Sequence, residues 1–291
     1  MVRHRQEIRR QGGMKAALRS IAVAAAFALG AIAANAADYP TRPITLVVPY
    51  AAGGGNDVIA RIVAEKMSAS LGQSIVIENR GGAGGTIATR QVAKSEPDGY
   101  TLLIATSSLA INPSLYPNVG YDPRKDFAPV GLIASSGNVV LVNMTVPVRS
   151  TAELIALAKQ KPGELTFAST GTGSSVHLAA ELFAGMAGIK INHVPYKGSA
   201  PALNDLVGGH VTMMFSTMAS AAGLVKDGGK VRALAVTGAR RSALFPDLPT
   251  VAEGGLPGYE AVLVAACSGQ NATTGDRSGC PFSRPEPLVM A

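Results

Sequence analysis

Two segments of the chain place a glycine-rich loop between an apolar run and a helical pattern. The first run (ITLVVPY, residues 44–50) is followed by three glycines at residues 53–55, and apolar residues recur at helical spacing from Val58. Residues 164–187 repeat this order, with the loop TGTGSS in the middle. A short, continuously apolar run is typical of a strand that is buried on both faces of a parallel sheet. The two segments therefore predict an α/β architecture in which helices begin directly after glycine loops.

The other apolar runs extend this pattern into two series. Strands are predicted for SIVIENR and YTLLIAT in the first series, and for NVVLVNM, INHVPY, VTMMFS and VRALAV in the second. We therefore expect two doubly wound lobes with a ligand cleft between them. The expected divisions are a signal peptide at 1–36, lobe 1 at 37–138, lobe 2 at 139–235, a return toward lobe 1 at 236–266, and an aberrant, disordered tail at 267–291.

The first 36 residues have the composition of a cleavable secretory signal. A basic start precedes an apolar stretch at residues 21–34, and Ala34-Asn35-Ala36 gives a small-x-small cleavage pattern. The stretch is shorter than the roughly 20 residues that a membrane-spanning helix needs. We therefore predict export to the periplasm.

The charge of the remaining chain argues against a nucleic-acid function. Residues 1–36 hold six of the 26 Lys and Arg and one of the 19 Asp and Glu, so the net charge falls from +7 to +2 without them. A nucleic-acid-binding surface needs a basic stripe, which the remaining sequence lacks. We predict no nucleic-acid partner, no metal and no cofactor.

The glycine loops are suited to binding an anion. A loop that runs from a strand into a helix presents free backbone N–H groups at the positive end of the helix dipole. Neither loop continues into the Gly-Lys pair of a phosphate loop, and neither supplies the third glycine of a dinucleotide fingerprint. Each helix end contributes about 0.3–2 kcal/mol, so two opposed loops would hold a carboxylate better than one. The pattern predicts a receptor that closes on a small anion by a hinge.

A serine hydrolase is the alternative from another functional class. Ser174 and His177 are three residues apart, which places a nucleophile and a base on one face of a helix. The sequence shows no third group that would orient the imidazole, and the familiar catalytic serine motifs are absent. We therefore expect binding without catalysis. The sequence allows Asp57 either a helix-capping or a ligand-contacting role, and His177 lies in the first turn after the second loop.

Five blocks of the sequence carry a family resemblance, and they run in order from Tyr39 to Ala261. They are YPTRPITLVVPYAAGGGNDVIARIVAEKM, GQSIVIENRGGAGGTIATRQVAKSEPDGYTLLIAT, FASTGTGSSVHLAAELF, HVPYKGSAPALNDLVGGHVTMMF and DLPTVAEGGLPGYEA. These blocks resemble the solute receptors of tripartite tricarboxylate transporters, the Bordetella uptake gene family. The resemblance implies a type II periplasmic-binding-protein fold, a small carboxylate as ligand, and delivery by a monomer to the membrane subunits of such a transporter.

The resemblance also implies a set of ligand-binding residues, which cluster in the loops after the strands. They are Tyr50, Ala51, Gly53, Gly54 and Asp57 in the first loop, Thr106 and Ser107 after the third strand, Ser169, Thr170, Gly171, Gly173, Ser174 and His177 in the second loop, and Ser216 after VTMMF.

Two departures from the family pattern stand out. Many relatives carry an acidic residue where this chain has Ser216, which argues against recognition of a ligand amino group. After GYEA the family continues with a strand of the first lobe and a helical region, whereas residues 262–291 here are rich in Gly, Ser, Thr and Pro and contain both cysteines, Cys267 and Cys280. We expect this tail to be unable to replace those elements. The alternative function is therefore a degenerate or frameshifted family member with impaired binding.

Overall fold

Strands and helices alternate through most of the computed structural model, which describes residues 39–226 and 229–270. In chain order the elements are β1 (Ile44–Val48), α1 (Gly55–Leu71), β2 (Ile75–Asn79), α2 (Thr86–Ala93), β3 (Thr101–Thr106), α3 (Ser108–Leu115), β4 (Phe127–Asn143), α4 (Thr151–Gln160), β5 (Thr166–Ser169), α5 (Ser175–Ala187), β6 (Asn192–Pro195), α6 (Ser199–Gly208), β7 (Met213–Thr217), α7 (Met218–Lys226), β8 (Val231–Val236) and β9 (Val262–Gln270). Residues 42–226 and 229–270 belong to one compact unit. Within the described residues, no helix combines the length and hydrophobicity that a membrane crossing requires.

The strands form two groups that are joined by the long strand β4. In the first group β1 lies between β2 and β3 in parallel, and β9 pairs antiparallel with β3. In the second group β5 lies between β6 and β7 in parallel. Residues 127–137 of β4 pair with β9, whereas residues 138–143 pair with β7 and β8. Because parallel strands present their carboxyl ends at one edge, the loops after β1 and β3 share an edge, and so do those after β5 and β7.

Side-chain alternation along β4 gives the second group a core on each face. Val140 and Val142 pack with α5 in a cluster that includes Phe183 and Phe215. Val139 points to the opposite face of β4, where it packs with residues of α6. A third cluster, which contains Val47, Ala88, Val92, Leu103 and Phe127, packs the first group against α2. Helices thus cover both faces of the second group, as expected for a doubly wound fold.

The predicted strands are confirmed, but the first part of β4, helix α3 and strand β9 were not predicted. Residues 127–137 form the first part of β4, although Pro129 and Gly131 weaken the strand pattern there, because β9 supplies a pairing partner. Helix α3 also lacked a sequence prediction. The change of partners at Asn138 falls at the expected boundary between lobes 1 and 2, while the division into lobes itself stays a prediction.

The expected boundary at residue 267 falls inside a strand. Residues 262–270 form β9 and pair with both β3 and β4, so Cys267–Gln270 belong to the sheet and not to a tail. Every second residue at the start of this segment is buried, since Leu263, Ala265 and Cys267 face the interior. This alternation is that of a strand with one face against the core, which is why the segment joins the sheet. The first-lobe strand that the tail was expected to lack is therefore present. The predicted signal peptide at 1–36 and residues 271–291 lie outside the described residues.

Candidate functional site

The loop after β1 carries Tyr50 into the protein interior. Tyr50 is 3% exposed, and its hydroxyl lies 3.2 Å from Thr106 Oγ1 and 3.2 Å from Ser108 Oγ. Burial raises the pKa of the Tyr50 phenol, and hydrogen bonds with Ser108 and Thr106 offset part of that rise. The phenol is therefore neutral near pH 7 and ties the first loop to the end of β3.

Asp57 stabilises the same loop from the first turn of α1. Its Oδ2 accepts hydrogen bonds from Gly53 N and from Arg61 Nε, both at 3.0 Å. The bond back to Gly53 resembles the reciprocal part of a capping box. Burial opposes ionisation of Asp57, but the hydrogen bonds from Arg61 and Gly53 prevail and lower its pKa. Asp57 is thus an ionised capping carboxylate. Its other carboxylate oxygen, Oδ1, has no hydrogen-bond partner among the described residues.

The second loop is fixed by side chains at both of its ends. Ser174 is the residue before α5, and its Oγ accepts a hydrogen bond from His177 N at 3.3 Å. Ser169 Oγ accepts a hydrogen bond from Gly171 N at 3.1 Å, and His177 Nδ1 accepts one from Gly173 N at 3.3 Å. The loop therefore has a defined backbone conformation that its own side chains hold.

A row of stacked rings lies behind the second loop. The His193 ring stacks on Phe167 with centroids 4.8 Å apart and lies 4.2 Å from the His177 ring. His193 Nε2 is 2.6 Å from Ser169 Oγ, which links the ring to the loop. Burial, with a smaller contribution from His177, lowers the pKa of His193 to about 4. Burial also lowers the pKa of His177, against an opposing effect of Glu181, so both rings are neutral at pH 7.

Among the described residues, three hydrogen bonds join the first strand group's loops to the loops of the second group and to helix α7. Ala51 N donates to Lys197 O at 3.1 Å, and Gly55 N donates to Ser220 Oγ at 2.5 Å. Farther along the same contact, the Tyr116 hydroxyl donates to Thr172 O at 2.9 Å. The two groups of loops therefore touch directly.

Glycine makes this contact sterically possible. An ideal Cβ on Gly84 would lie 2.1 Å from Thr172 O, and one on Gly55 would lie 2.2 Å from Thr217 Oγ1. Such distances are far inside van der Waals contact, so a side chain at Gly84 would have to displace the backbone of Thr172, and one at Gly55 would have to displace the side chains of Thr217 and Ser220. Sequence reasoning assigned the glycines of the first loop, which include Gly55, to the approach of a ligand, and it made no assignment for Gly84. Both glycines serve the approach of one half of the protein to the other.

Many backbone N–H groups of the two loops already have partners within the protein. Gly53 N bonds to Asp57, Gly55 N to Ser220, Gly171 N to Ser169 and Gly173 N to His177. In addition, Ser174 N donates to Gly171 O at 3.1 Å. In this arrangement the N–H groups that sequence reasoning offered to an anion mostly hold the loops in shape. The loop N–H groups that are not among these bonded ones belong to Gly54, Asn56, Thr170 and Thr172.

A pocket of about 140 Å³ lies between α3 and α5, next to the end of the second loop. Its lining combines two hydroxyl groups with apolar side chains from both halves of the protein: Ser107, Ile111, Ser175, Leu178, Ala179, Leu182, Ala261 and Val262. Among the described residues, Asp57 is the only Asp, Glu, Lys or Arg that is buried. Neutral donors and helix dipoles, rather than a buried cation, are thus available to an anion here.

The structure brings the predicted residues into three places. Tyr50 and Thr106 meet at the first loop, the residues from Ser169 to His177 form the second loop, and Ser107 lines the pocket. Gly54 precedes α1, and an ideal Cβ there would lie 3.4 Å from Ser199 Cβ. Ser216 is fully buried, and its hydroxyl donates to Thr217 O at 3.3 Å, so it supplies no charge.

Sequence reasoning missed several polar residues at this contact. Ser108 contacts Tyr50, Ser220 contacts Gly55, and His193 supports Ser169. Ser108 could have been found, since it directly follows the predicted Thr106-Ser107 pair. The roles of Ser220 and His193 depend on packing between elements that are distant in sequence, which no local pattern reports.

The geometry does not join Ser174 and His177 as a nucleophile and its base. Ser174 Oγ accepts its hydrogen bond from the backbone N–H of His177, and the imidazole Nδ1 instead accepts from Gly173 N. His177 Nε2 lies 3.7 Å from Glu181 Oε1, on the far side of the ring. A nucleophile needs a direct bond to its base, so the pair functions as a helix cap and a loop support.

Comparisons with known proteins agree with this fold. A family model described as "Tripartite tricarboxylate transporter family receptor" matches residues 59–274. A curated relative from Pseudomonas sp. (strain P51), "UPF0065 protein in tcbD-tcbE intergenic region", is 45% identical over 223 residues. That alignment covers 76% of this chain and 66% of the relative, so the chain spans about two thirds of the relative's length.

Three solved structures are similar to this one. Rpa4515 of R. palustris with adipate has a TM-score of 0.78 at 43% identity, covering 81% of this chain and 79% of that chain. The periplasmic binding protein BugD has a TM-score of 0.78 at 38% identity, with the same coverage of 81% and 79%. MatC (Rpa3494) from Rhodopseudomonas palustris with bound malate has a TM-score of 0.76 at 33% identity, covering 81% and 80%. The fold is that of periplasmic binding proteins, and the chain belongs to the tripartite tricarboxylate transporter receptor family.

Proposed function

We propose that this protein is an exported receptor that captures a small carboxylate between two lobes and delivers it to the membrane subunits of a tripartite tricarboxylate transporter. The family membership supports the receptor role. Two structural relatives, at 43% and 33% identity, were solved with adipate and malate, which are both dicarboxylates. We infer a dicarboxylate or a related small acid as the ligand class and the periplasm as the location, with the receptor acting as a monomer and without catalysis.

One observation carries this proposal: both glycine loops, each leading into a helix, converge on the line where the two strand groups touch. The loop before α1 contacts Lys197 and Ser220, and the loop before α5 contacts Tyr116. We infer that the N-termini of α1 and α5 act together on an anion at this contact, and each helix end contributes about 0.3–2 kcal/mol. The surrounding hydroxyl groups add hydrogen bonds without adding charge.

We assign the ligand site to the loop residues that sequence reasoning selected, with a division of roles. The donors to an anion are the N–H groups of Gly54, Asn56, Thr170 and Thr172 and nearby hydroxyls, whereas Asp57 and His177 hold the loops. The hinge is the pair of strands β4 and β9, because Gly137 pairs with Val262 where β4 changes partners. Opening at this hinge would break the three contacts between the loops and expose the site.

Isothermal titration calorimetry tests the proposed function directly. The protein, refolded after removal of any bound ligand, is titrated with adipate, malate, succinate, citrate and glutamate. We expect at least one of the dicarboxylates to bind with a stoichiometry of one, and Gly54→Val to weaken that binding at least tenfold. A folded protein that binds none of the five acids would defeat the carboxylate proposal and favour the degenerate family member.

Transport needs a separate measurement. Uptake of the labelled acid that binds best is compared in cells with and without this chain, in the presence of the tripartite transporter's membrane subunits. We expect uptake to depend on the chain and to fall with Gly54→Val. Binding without dependent uptake would limit the role of the protein to that of a sensor or a buffer.

A further inference from the structure

Asn138 is a completely buried side chain whose amide is unused. It is 0% exposed, and neither Nδ2 nor Oδ1 has a hydrogen-bond partner within the described residues. Its backbone, by contrast, is held from both sides: Asn138 N donates to Thr237 Oγ1 at 2.6 Å, and Thr237 N donates to Asn138 O at 2.8 Å. The side chain is thus presented from a fixed position.

This residue lies where β4 passes from one strand group to the other. Gly137 pairs with Val262 of β9, and Asn138 pairs with Thr217 of β7. Thr237 Oγ1 also donates to Ala261 O at 2.6 Å, and Ala261 lines the pocket between α3 and α5. Asn138 is therefore two hydrogen bonds away from the pocket wall, at the proposed hinge.

Alternation along β4 gives the direction of the side chain. Residues 138, 140 and 142 share one face of the strand, and Val140 and Val142 pack in the cluster that contains Ala179 of α5. Ala179 lines the pocket together with Ser175 at the start of the same helix. The Asn138 side chain is therefore on the face of β4 that packs in the same cluster as α5.

A buried amide without partners is costly to the folded protein. Leaving a buried donor or acceptor unsatisfied destabilises the folded state, and native proteins contain few such groups. Asn143 on the same strand shows the usual arrangement: its Nδ2 donates to Leu206 O at 2.6 Å, and its Oδ1 accepts from Thr145 N at 2.9 Å. An asparagine that stabilised the fold would be paired in this way.

We propose that the Asn138 amide contacts the bound ligand from the hinge, with Nδ2 donating to a carboxylate oxygen and Oδ1 accepting from a ligand hydroxyl or an ordered water. This inference rests on the proposed receptor function and adds a recognition residue to it. An amide can form hydrogen bonds to a polar group of the ligand without adding charge. This suits a site where Asp57 is the only buried charged residue among those described.

The test replaces the amide by an apolar side chain of similar size. Asn138→Leu and Asn138→Ala are compared with wild type by calorimetry with malate, succinate and adipate, and by thermal melting without ligand. Asn143→Leu is the matched control, because it removes a paired amide from the same strand. We expect both Asn138 variants to bind at least tenfold more weakly with a melting temperature that is not lowered for Asn138→Leu, and Asn143→Leu to melt lower with unchanged affinity.

The outcomes separate this inference from the proposed function. Wild-type affinity in both Asn138 variants overturns the inference and leaves the receptor function intact. A clear fall in the melting temperature of ligand-free Asn138→Leu also overturns it, because the amide would then stabilise the fold. If wild type binds none of the five acids used to test the proposed function, the carboxylate function fails, and native mass spectrometry decides the inference: a molecule retained by wild type and lost from both Asn138 variants supports it, and equal retention refutes it.

Discussion

Gly84→Ala should hold the two halves of the protein apart while leaving each half folded. An ideal Cβ at Gly84 would lie 2.1 Å from Thr172 O, across the contact between the two strand groups. Real Cβ contacts almost never fall below 3.0 Å, so Thr172 must move by about 0.9 Å. Gly84 has φ +59°, and an alanine adds about 1–2 kcal/mol of left-handed strain whether or not the halves touch.

The cost specific to the closed form follows from the neighbouring bonds. A displacement of this size takes the Tyr116 hydroxyl, now 2.9 Å from Thr172 O, beyond hydrogen-bond distance. Each lost hydrogen bond is worth about 0.5–1.5 kcal/mol, and the packing of Asn112 against Gly173 loosens with it. We expect a total of about 1–3 kcal/mol against closure, which corresponds to a roughly 5- to 150-fold loss of ligand affinity if the closed form is the binding form.

Calorimetry with the best-binding carboxylate measures this loss. Gly72→Ala is the control, because Gly72 has a similar φ of +65° and an ideal Cβ there has no neighbour within 4 Å. The two variants should lose similar stability in thermal melts, and only Gly84→Ala should lose affinity. Equal affinity in both variants would show that the contact between Gly84 and Thr172 is absent from the ligand-bound form, and the closure argument would be wrong.

Three further predictions follow from single side chains. Gly54→Val should weaken carboxylate binding in calorimetry with little change in melting temperature, because the added methyl groups meet Ser199, 3.4 Å from an ideal Cβ; unchanged affinity would remove this loop from the site. The pKa of His193 is lowered to about 4, so the unfolded chain binds more protons below its ordinary value of about 6.5 and stability should fall as the pH drops from about 6.5 to about 4. Urea unfolding at several pH values should show a smaller decline in His193→Gln, and an identical decline would contradict the argument. Burial raises the pKa of the Cys267 thiol to about 12, so in a Cys280→Ser background it should react with a thiol reagent only after denaturation. Rapid labelling of the native protein would show that β9 opens.

The sequence determined the order of strands, glycine loops and helices. Continuous apolar runs such as residues 44–48 became buried strands, because a segment that is apolar on both faces must be covered on both faces. The second loop likewise became the start of α5, with Ser174 as its cap. These features depend on neighbours within about one helical turn, and local composition reports them.

Tertiary structure decided the features that depend on distant partners. Residues 127–137 of β4 and the end of β9 became strands because each supplies the other's hydrogen bonds, and this overrode the prediction of a tail from residue 267. Gly84 and Thr172 are 88 positions apart in sequence and meet only when the strand groups come together. Whether a glycine faces a ligand or another backbone, and whether a buried amide such as that of Asn138 finds a partner, is set by such contacts. A local pattern encodes which residues are buried, but only the assembled fold decides what they are buried against.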